Sequence, residues 1–326
     1  MKILFFLGNG FDLNLGFKSK YSDFYKYYQS IKDDNPILVS LKKEITNKYR
    51  NWSDLELALG GYTAKLKNRD EIDIVMEDLG DKLSQYLLSE ESKIDFKLFD
   101  KQILFDYLKY PERSLLQADQ NAIEIFKNKW ASHRWDVNIV TFNYTESLEK
   151  IIDSKTQITS LGNTVNGHPV VLNNLKHIHG FINNDMVMGV NDISQIKNTN
   201  FHEDIDVLET MVKPNCNQAI KHTIDDWTKE RISKSNIICI YGSSIGESDN
   251  LWWDLIGKRL KDDCQLLIFS RSESSIPNRI SQKKQREVRK IIDNFLDKVN
   301  LSESEKLDIR SKIYVSINSK MFNLAK

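Results

Sequence analysis

The chain reads as an α/β protein, a Rossmann-like parallel sheet of about six strands with a large helical insertion after the first. Three observations predict this. Residues 3–7, 137–142, 177–178, 237–241, 266–269 and 313–317 are short runs rich in Ile, Val, Leu and aromatics, the pattern of parallel strands covered on both faces. Several of these runs end in small or polar turns. Residues 21–134 contain almost nothing that reads as a strand.

The first run passes straight into a glycine turn, Leu7-Gly8-Asn9-Gly10-Phe11-Asp12, with Gly16 further on. Glycines let a backbone turn tightly and approach a phosphate, and a helix that follows offers unpaired N–H groups. The Gly-x-Gly-x5-Gly spacing departs from the dinucleotide fingerprint Gly-x-Gly-x-x-Gly. The insertion follows. Ser53-Asp54-Leu55-Glu56 predicts a capping box, with Ser53 as N-cap and Glu56 reaching back. Leu55, Leu59, Tyr62 and Leu66 then recur at helical spacing, as do apolar residues within 71–88, 96–107 and 118–130, with Pro111 as punctuation. The expected division is therefore 1–20 with 135–326 as the sheet-bearing unit and 21–134 as the insertion.

Composition narrows the function classes. The 326 residues are 40% hydrophobic and 28% charged, with 46 basic and 46 acidic side chains. A zero net charge gives no global electrostatic case for nucleic acid or an anionic membrane. The basic helix expected over 282–299 reads as a solvated face, since aromatic interleaving is missing. Three separated cysteines, Cys216, Cys239 and Cys264, suit a reducing compartment and make neither a disulfide framework nor a zinc pair. No apolar run approaches a membrane span. A cytoplasmic protein with no metal and no membrane contact is expected, and a homo-oligomer stays open.

Three later motifs also sit where strands end. In Thr141-Phe142-Asn143-Tyr144-Thr145 an Asn occupies the turn. Its amide either mimics a local turn or reaches across the carboxyl edge of the sheet, where open α/β folds bind ligands. In His177-Ile178-His179-Gly180 the two histidines share a face of an extended segment. A metal pair lacks further ligands with recognisable spacing. A hydrogen-bonded core histidine suits His177, and a general base suits His179, whose glycine neighbour lets a ligand approach. In Tyr241-Gly242-Ser243-Ser244-Ile245-Gly246-Glu247-Ser248-Asp249 the serines suit phosphate or ribose oxygens and Glu247 or Asp249 would be the nearest acids, while Ser248 and Asp249 also suit helix capping.

Together with Trp52-Ser-Asp-Leu-Glu56, these motifs resemble the bacterial abortive-infection AbiH family, which implies anti-phage defence set off by a phage trigger. More distantly the chain is similar to sirtuins and their NAD-cleaving relatives. Gly8, Gly10 and Gly16 keep the sirtuin glycine spacing, Thr141-Phe142-Asn143 stands at the sirtuin asparagine motif, His179-Gly180 at the catalytic His-Gly, and Gly242-Ser243-Ser244 at Gly-Thr-Ser. Phe142 and Thr145 replace the sirtuin Gln and Asp, Lys18 stands where a Pro would be, and no four-cysteine zinc module follows Gly180. The resemblance therefore implies NAD as ligand or substrate rather than protein deacylation. It implies Asn143 and His179 as catalytic residues for cleavage of the nicotinamide–ribose bond. Gly8, Asn9, Gly10, Phe11, Asp12, Thr141, Gly242, Ser243, Ser244 and Ser270 would then contact the nucleotide. The alternative is a sensor or scaffold that binds a nucleotide without turnover.

Overall fold

The computed structural model describes residues 1–153, 158–182, 184–271 and 281–325. Its centre is a seven-stranded, mostly parallel sheet. The strands are β1 (Lys2–Leu7), β2 (Trp135–Thr141), β3 (Thr159–Asn163), β4 (Pro169–His177), β5 (Ile237–Tyr241), β6 (Gln265–Ser270) and β7 (Ile313–Ile317). They lie in the order β3-β4-β2-β1-β5-β6-β7. The expected count of six is corrected to seven. The extra strand, β3, is antiparallel to β4 at the sheet edge. Its sequence, TSLGN, buries only Leu161, so it lacks the apolar run that marks a central strand. The short run expected at 177–178 is the end of the nine-residue β4, whose earlier part carries three asparagine and lysine side chains that masked it.

Alternation along β1 assigns its side chains to two cores, as the period of a strand requires. Ile3, Phe5 and Leu7 enter one core with Phe11, Leu104, Leu108, Ile123 and Phe322. Leu4 and Phe6 enter the other with Trp253, Ile256, Phe295 and Val299. Helices Asn250–Arg259, Ser281–Asp297 and Glu303–Arg310 cover that second face. The 281–297 helix turns Ile292, Phe295 and Leu296 inward.

Between β1 and β2 the chain is helical, and its packing is shared. Helices Lys101–Lys109 and Gln117–Lys127 cover the first face of the sheet. Helices Tyr21–Ser30, Pro36–Asn47, Leu55–Tyr62 and Arg69–Glu91 build a third core with Met188, Val190, Phe201, Val207 and Met211, which come from the β4–β5 connection. Tyr144, in the loop after β2, joins this third core, so the helices rest on the carboxyl edge of the sheet.

The capping box expected at Ser53 does not form. Asp54 is the N-cap, and its carboxylate accepts from Leu57 N at 3.1 Å. Glu56 faces inward instead and is buried.

Candidate functional site

Strand register brings the four motifs to one edge. Leu7 pairs with both Thr141 and Tyr241, and Thr141 pairs with His177. Gly8 and Gly242 are thus one residue past the same row, while Asn143 and His179 are two residues past it. Ser270 follows Phe269, the partner of Tyr241. Between β1 and β5 the order of the sheet reverses, the place where open α/β sheets form a crevice.

Two buried polar clusters lie there. The first surrounds Asp12, in the short helix Gly10–Asn14. Its carboxylate accepts from Thr145 Oγ1 at 2.6 Å and Ser147 Oγ at 2.7 Å. Burial pushes the Asp12 carboxyl up to about 6, against these hydroxyls and the nearby Asn143 amide. Asn143 is itself buried, and its Nδ2 forms no hydrogen bond of ordinary geometry. The backbone around it is fully engaged. Asn143 N donates to Thr141 Oγ1, and Asn143 O accepts from His177 Nδ1 at 2.8 Å. His177 holds Glu149 with its other nitrogen, also at 2.8 Å. Burial alone would lower the His177 pKa, but Glu149 raises it above the ordinary histidine value.

The second cluster surrounds His179. Its Nε2 lies 2.9 Å from Asp249 Oδ1 and 3.3 Å from Lys213 Nζ, and its ring packs against Phe142. Lys213, at the start of helix Lys213–Ala219, also reaches Glu56 Oε2 at 2.7 Å, Asp249 Oδ1 at 3.0 Å and Ser248 O at 3.2 Å. Tyr144 OH donates toward Glu56 Oε1 at 3.1 Å. Burial raises the Glu56 carboxyl, opposed by Lys213 and His179. Burial would raise Asp249 as well, but Lys213 and His179 hold it well below the usual carboxylate range. Burial would lower Lys213, and Asp249 and Glu56 together raise it instead. The capping role open to Asp249 is not taken up by its side chain, which makes no cap bond at the helix it precedes. The Nδ1 of His179 is buried and without a partner.

One loop joins the clusters: Phe142 touches His179, Asn143 belongs with Asp12, and Tyr144 bonds Glu56. The cavity against His179 is small, about 10 Å³, and is lined by Asn191, Lys213, Asn217, Asp225 and Asp249 among others. It has the size of one water.

The glycine turns pack on each other. Gly8 N donates to Tyr241 O at 2.9 Å, Gly10 N to Gly242 O at 2.8 Å and Phe11 N to Gly8 O at 2.9 Å. Asn9 bonds Ser19 through both ends of its amide. Phe11 is fully buried in the core on the first face of the sheet, edge-on to Phe322. Thr141 Oγ1 donates to Leu7 O at 3.3 Å, Ser243 Oγ accepts from Ile245 N at 3.1 Å, and Ser244 is exposed. Ser270 is half-buried at the end of β6, with its carbonyl accepting from Asn318 N.

Sequence reading singled out His179 and Asn143 and named Asp249 as a nearby acid. It missed Lys213 altogether and gave Glu56 a local capping role. Lys213 sits in Val212-Lys213-Pro214-Asn215, which carries no motif. Among the described residues, no group of three or more His, Cys, Asp or Glu side chains is placed to hold a metal ion. His177 and His179 instead face different carboxylates. Among the described residues, no helix is long and apolar enough to cross a membrane.

No curated protein matches the chain. A family model, Bacteriophage abortive infection AbiH, matches residues 4–270. That span runs from β1 to the end of β6 and includes every residue of both buried clusters, so the chain belongs to the AbiH abortive-infection family.

Proposed function

We propose that this chain is a cytoplasmic abortive-infection effector that binds NAD at the carboxyl edge of its sheet and hydrolyses the nicotinamide–ribose bond. The observation that carries the reading is the buried, unpartnered His179 Nδ1, together with the buried Asn143 Nδ2, which has only a poorly aligned contact to Asp12. A buried polar atom without a partner costs roughly 1–3 kcal/mol, a cost that a bound ligand relieves. Both atoms belong to loops that leave adjacent strands from one registered pair. Further support comes from the six parallel strands, which follow the doubly wound order 3-2-1-4-5-6 of nucleotide-binding sheets, and from the resemblance to sirtuins.

The residues fit the ribose end of such a ligand. Asn143 Nδ2 donates to a ribose hydroxyl or to the attacking water. His179 Nδ1 accepts a proton from that water, whose oxygen bonds to the ribose carbon as nicotinamide leaves. Asp249 orients the imidazole through Nε2. Gly242, Ser243 and Ser270 lie on the same edge and suit the adenosine side. The fit is poorer at the glycine turn, where the N–H groups of Gly8, Gly10 and Phe11 already have internal acceptors.

The poorer fit favours a second reading, a nucleotide sensor that does not turn over. A dinucleotide needs a pocket of roughly 300–1,000 Å³, and the cavity at His179 has about 10 Å³. Binding would then require the edge to open, which couples ligand to conformation.

Product analysis after incubation with NAD tests both readings. Nicotinamide release by the wild type, reduced at least 100-fold in His179→Ala and Asn143→Ala, is the expected result. Wild-type release rates in both variants would remove these residues from the mechanism. A rise in melting temperature with NAD but no product would favour the sensor.

A further inference from the structure

The hydrogen-bond arrangement around Lys213 assigns a proton. An ammonium has three hydrogens, and three oxygens lie within reach of Lys213 Nζ: Glu56 Oε2 at 2.7 Å, Asp249 Oδ1 at 3.0 Å and Ser248 O at 3.2 Å. None remains for His179 Nε2, which stands 3.3 Å from the same nitrogen. That imidazole nitrogen also lies 2.9 Å from Asp249 Oδ1. A lone pair facing a carboxylate oxygen at this distance is repulsive, so Nε2 carries a proton and donates it to Asp249. A second proton on Nδ1 would be a buried donor with no acceptor, on a ring beside an ammonium. We infer that Asp249 holds His179 as the Nε2–H tautomer and that Lys213 is a positioning residue that keeps the ring neutral, with the Nδ1 lone pair free to act as a base.

This inference rests on the reading of His179 as the base of the site and extends it to regulation. Lys213 is held from the helical region by Glu56 and from the sheet-bearing region by Asp249. A movement of helix Leu55–Tyr62 that removed Glu56 would free one Lys213 hydrogen and alter its hold on His179. The protonation of His179 is thereby linked to the docking of those helices. The groups around His179 are Glu56 on helix Leu55–Tyr62, Lys213 on helix Lys213–Ala219, Asp225 on helix Ile224–Lys234, Asp249 before helix Asn250–Arg259, and the Phe142 ring. The three carboxyl groups favour a charged imidazole, and Lys213 is the one cation among these groups that opposes it.

The test is nitrogen-15 magnetic resonance of the full chain labelled at its six histidines, with the His179 signals identified from their loss in His179→Gln. At pH 7 the wild type should show one proton on Nε2 and a free lone pair on Nδ1. A proton on Nδ1, or a doubly protonated ring, would overturn the inference. In Lys213→Met the His179 nitrogen signals at pH 7 should move to those of a doubly protonated ring, and unchanged signals would also overturn it. Lys213→Arg keeps the charge and should restore the wild-type signals. If Lys213→Met fails to fold, as the other five histidine signals would report, the wild-type tautomer and Lys213→Arg decide the question. The measurement needs no turnover. The expected tautomer without NAD cleavage leaves the positioning role standing and removes the reading of NAD hydrolysis, whereas cleavage with the opposite tautomer does the reverse.

Discussion

Gly10 and Gly242 touch backbone to backbone. Gly10 N donates to Gly242 O at 2.8 Å, and a Cβ added to Gly242 would stand 2.7 Å from Gly10 Cα. Gly242 also has φ +69°, a conformation that side chains rarely adopt. The turns after β1 and β5 are thus locked together at the point where the sheet order reverses. Gly10→Ala should destabilise the protein by about 1–3 kcal/mol in urea unfolding. Gly61, in helix Leu55–Tyr62 with nothing within 4 Å of an added Cβ, is the control. Gly61→Ala should be neutral or stabilising by up to about 1 kcal/mol. Equal effects at the two positions would contradict the close packing of the turns.

Removing one partner of a buried ion pair exposes the cost of the other. Glu56 and Lys213 have side chains 7% and 6% exposed. Glu56→Ala leaves the ammonium without its shortest contact and should cost about 3–5 kcal/mol. Glu44 bonds the half-exposed Lys65, and Glu44→Ala should cost no more than about 1 kcal/mol. Urea unfolding of the two variants compares them directly, and similar losses would mean that the buried network is not formed.

Asp12 makes stability depend on pH. Burial pushes its carboxyl up to about 6 in the folded chain, from the ordinary aspartate value near 3.8. Between these values the folded state binds more protons than the unfolded state, so stability falls as pH rises through the window. The total loss is on the order of 3 kcal/mol, complete above pH 6. Asp12→Asn should lack this fall. Chemical unfolding at intervals from pH 4 to pH 7 checks it, and parallel curves for the two proteins would rule out the buried acid as the cause.

A second buried pair lies on the first face of the sheet. Lys127 Nζ reaches both Glu112 oxygens, at 2.7 and 2.9 Å, and Lys109 O, and it stacks over the Tyr110 and Trp135 rings. Burial lowers the Lys127 pKa despite Glu112. Lys127→Met alone should cost about 3–5 kcal/mol by stranding Glu112, whereas Lys127→Met with Glu112→Leu should recover most of it. If the double variant is as unstable as the single, packing rather than the unpaired charge sets the cost.

How far the sequence reaches is clear from individual residues. β1, β2, β5, β6 and β7 were legible because each is a local apolar run. The turn at Gly8 and Gly10 was legible because few residues tolerate such close approach. β3 was not, because an edge strand with one buried side chain has no apolar pattern. Glu56 was misread because Ser53-x-x-Glu56 satisfies the local rule for a capping box, and only the fold reveals that Asp54 takes that place.

The sequence by itself determined the α/β class, the helical stretch between the first two strands, and the motifs that end at the sheet edge. These follow from local periodicity and backbone preference, which act within a few residues. Tertiary structure alone decided the company of His179. Lys213 meets Glu56 across 157 residues and Asp249 across 36, separations at which no spacing rule operates. Burial then sets the charge of each group, because in a dry interior every ionised side chain is held by its neighbours rather than by water.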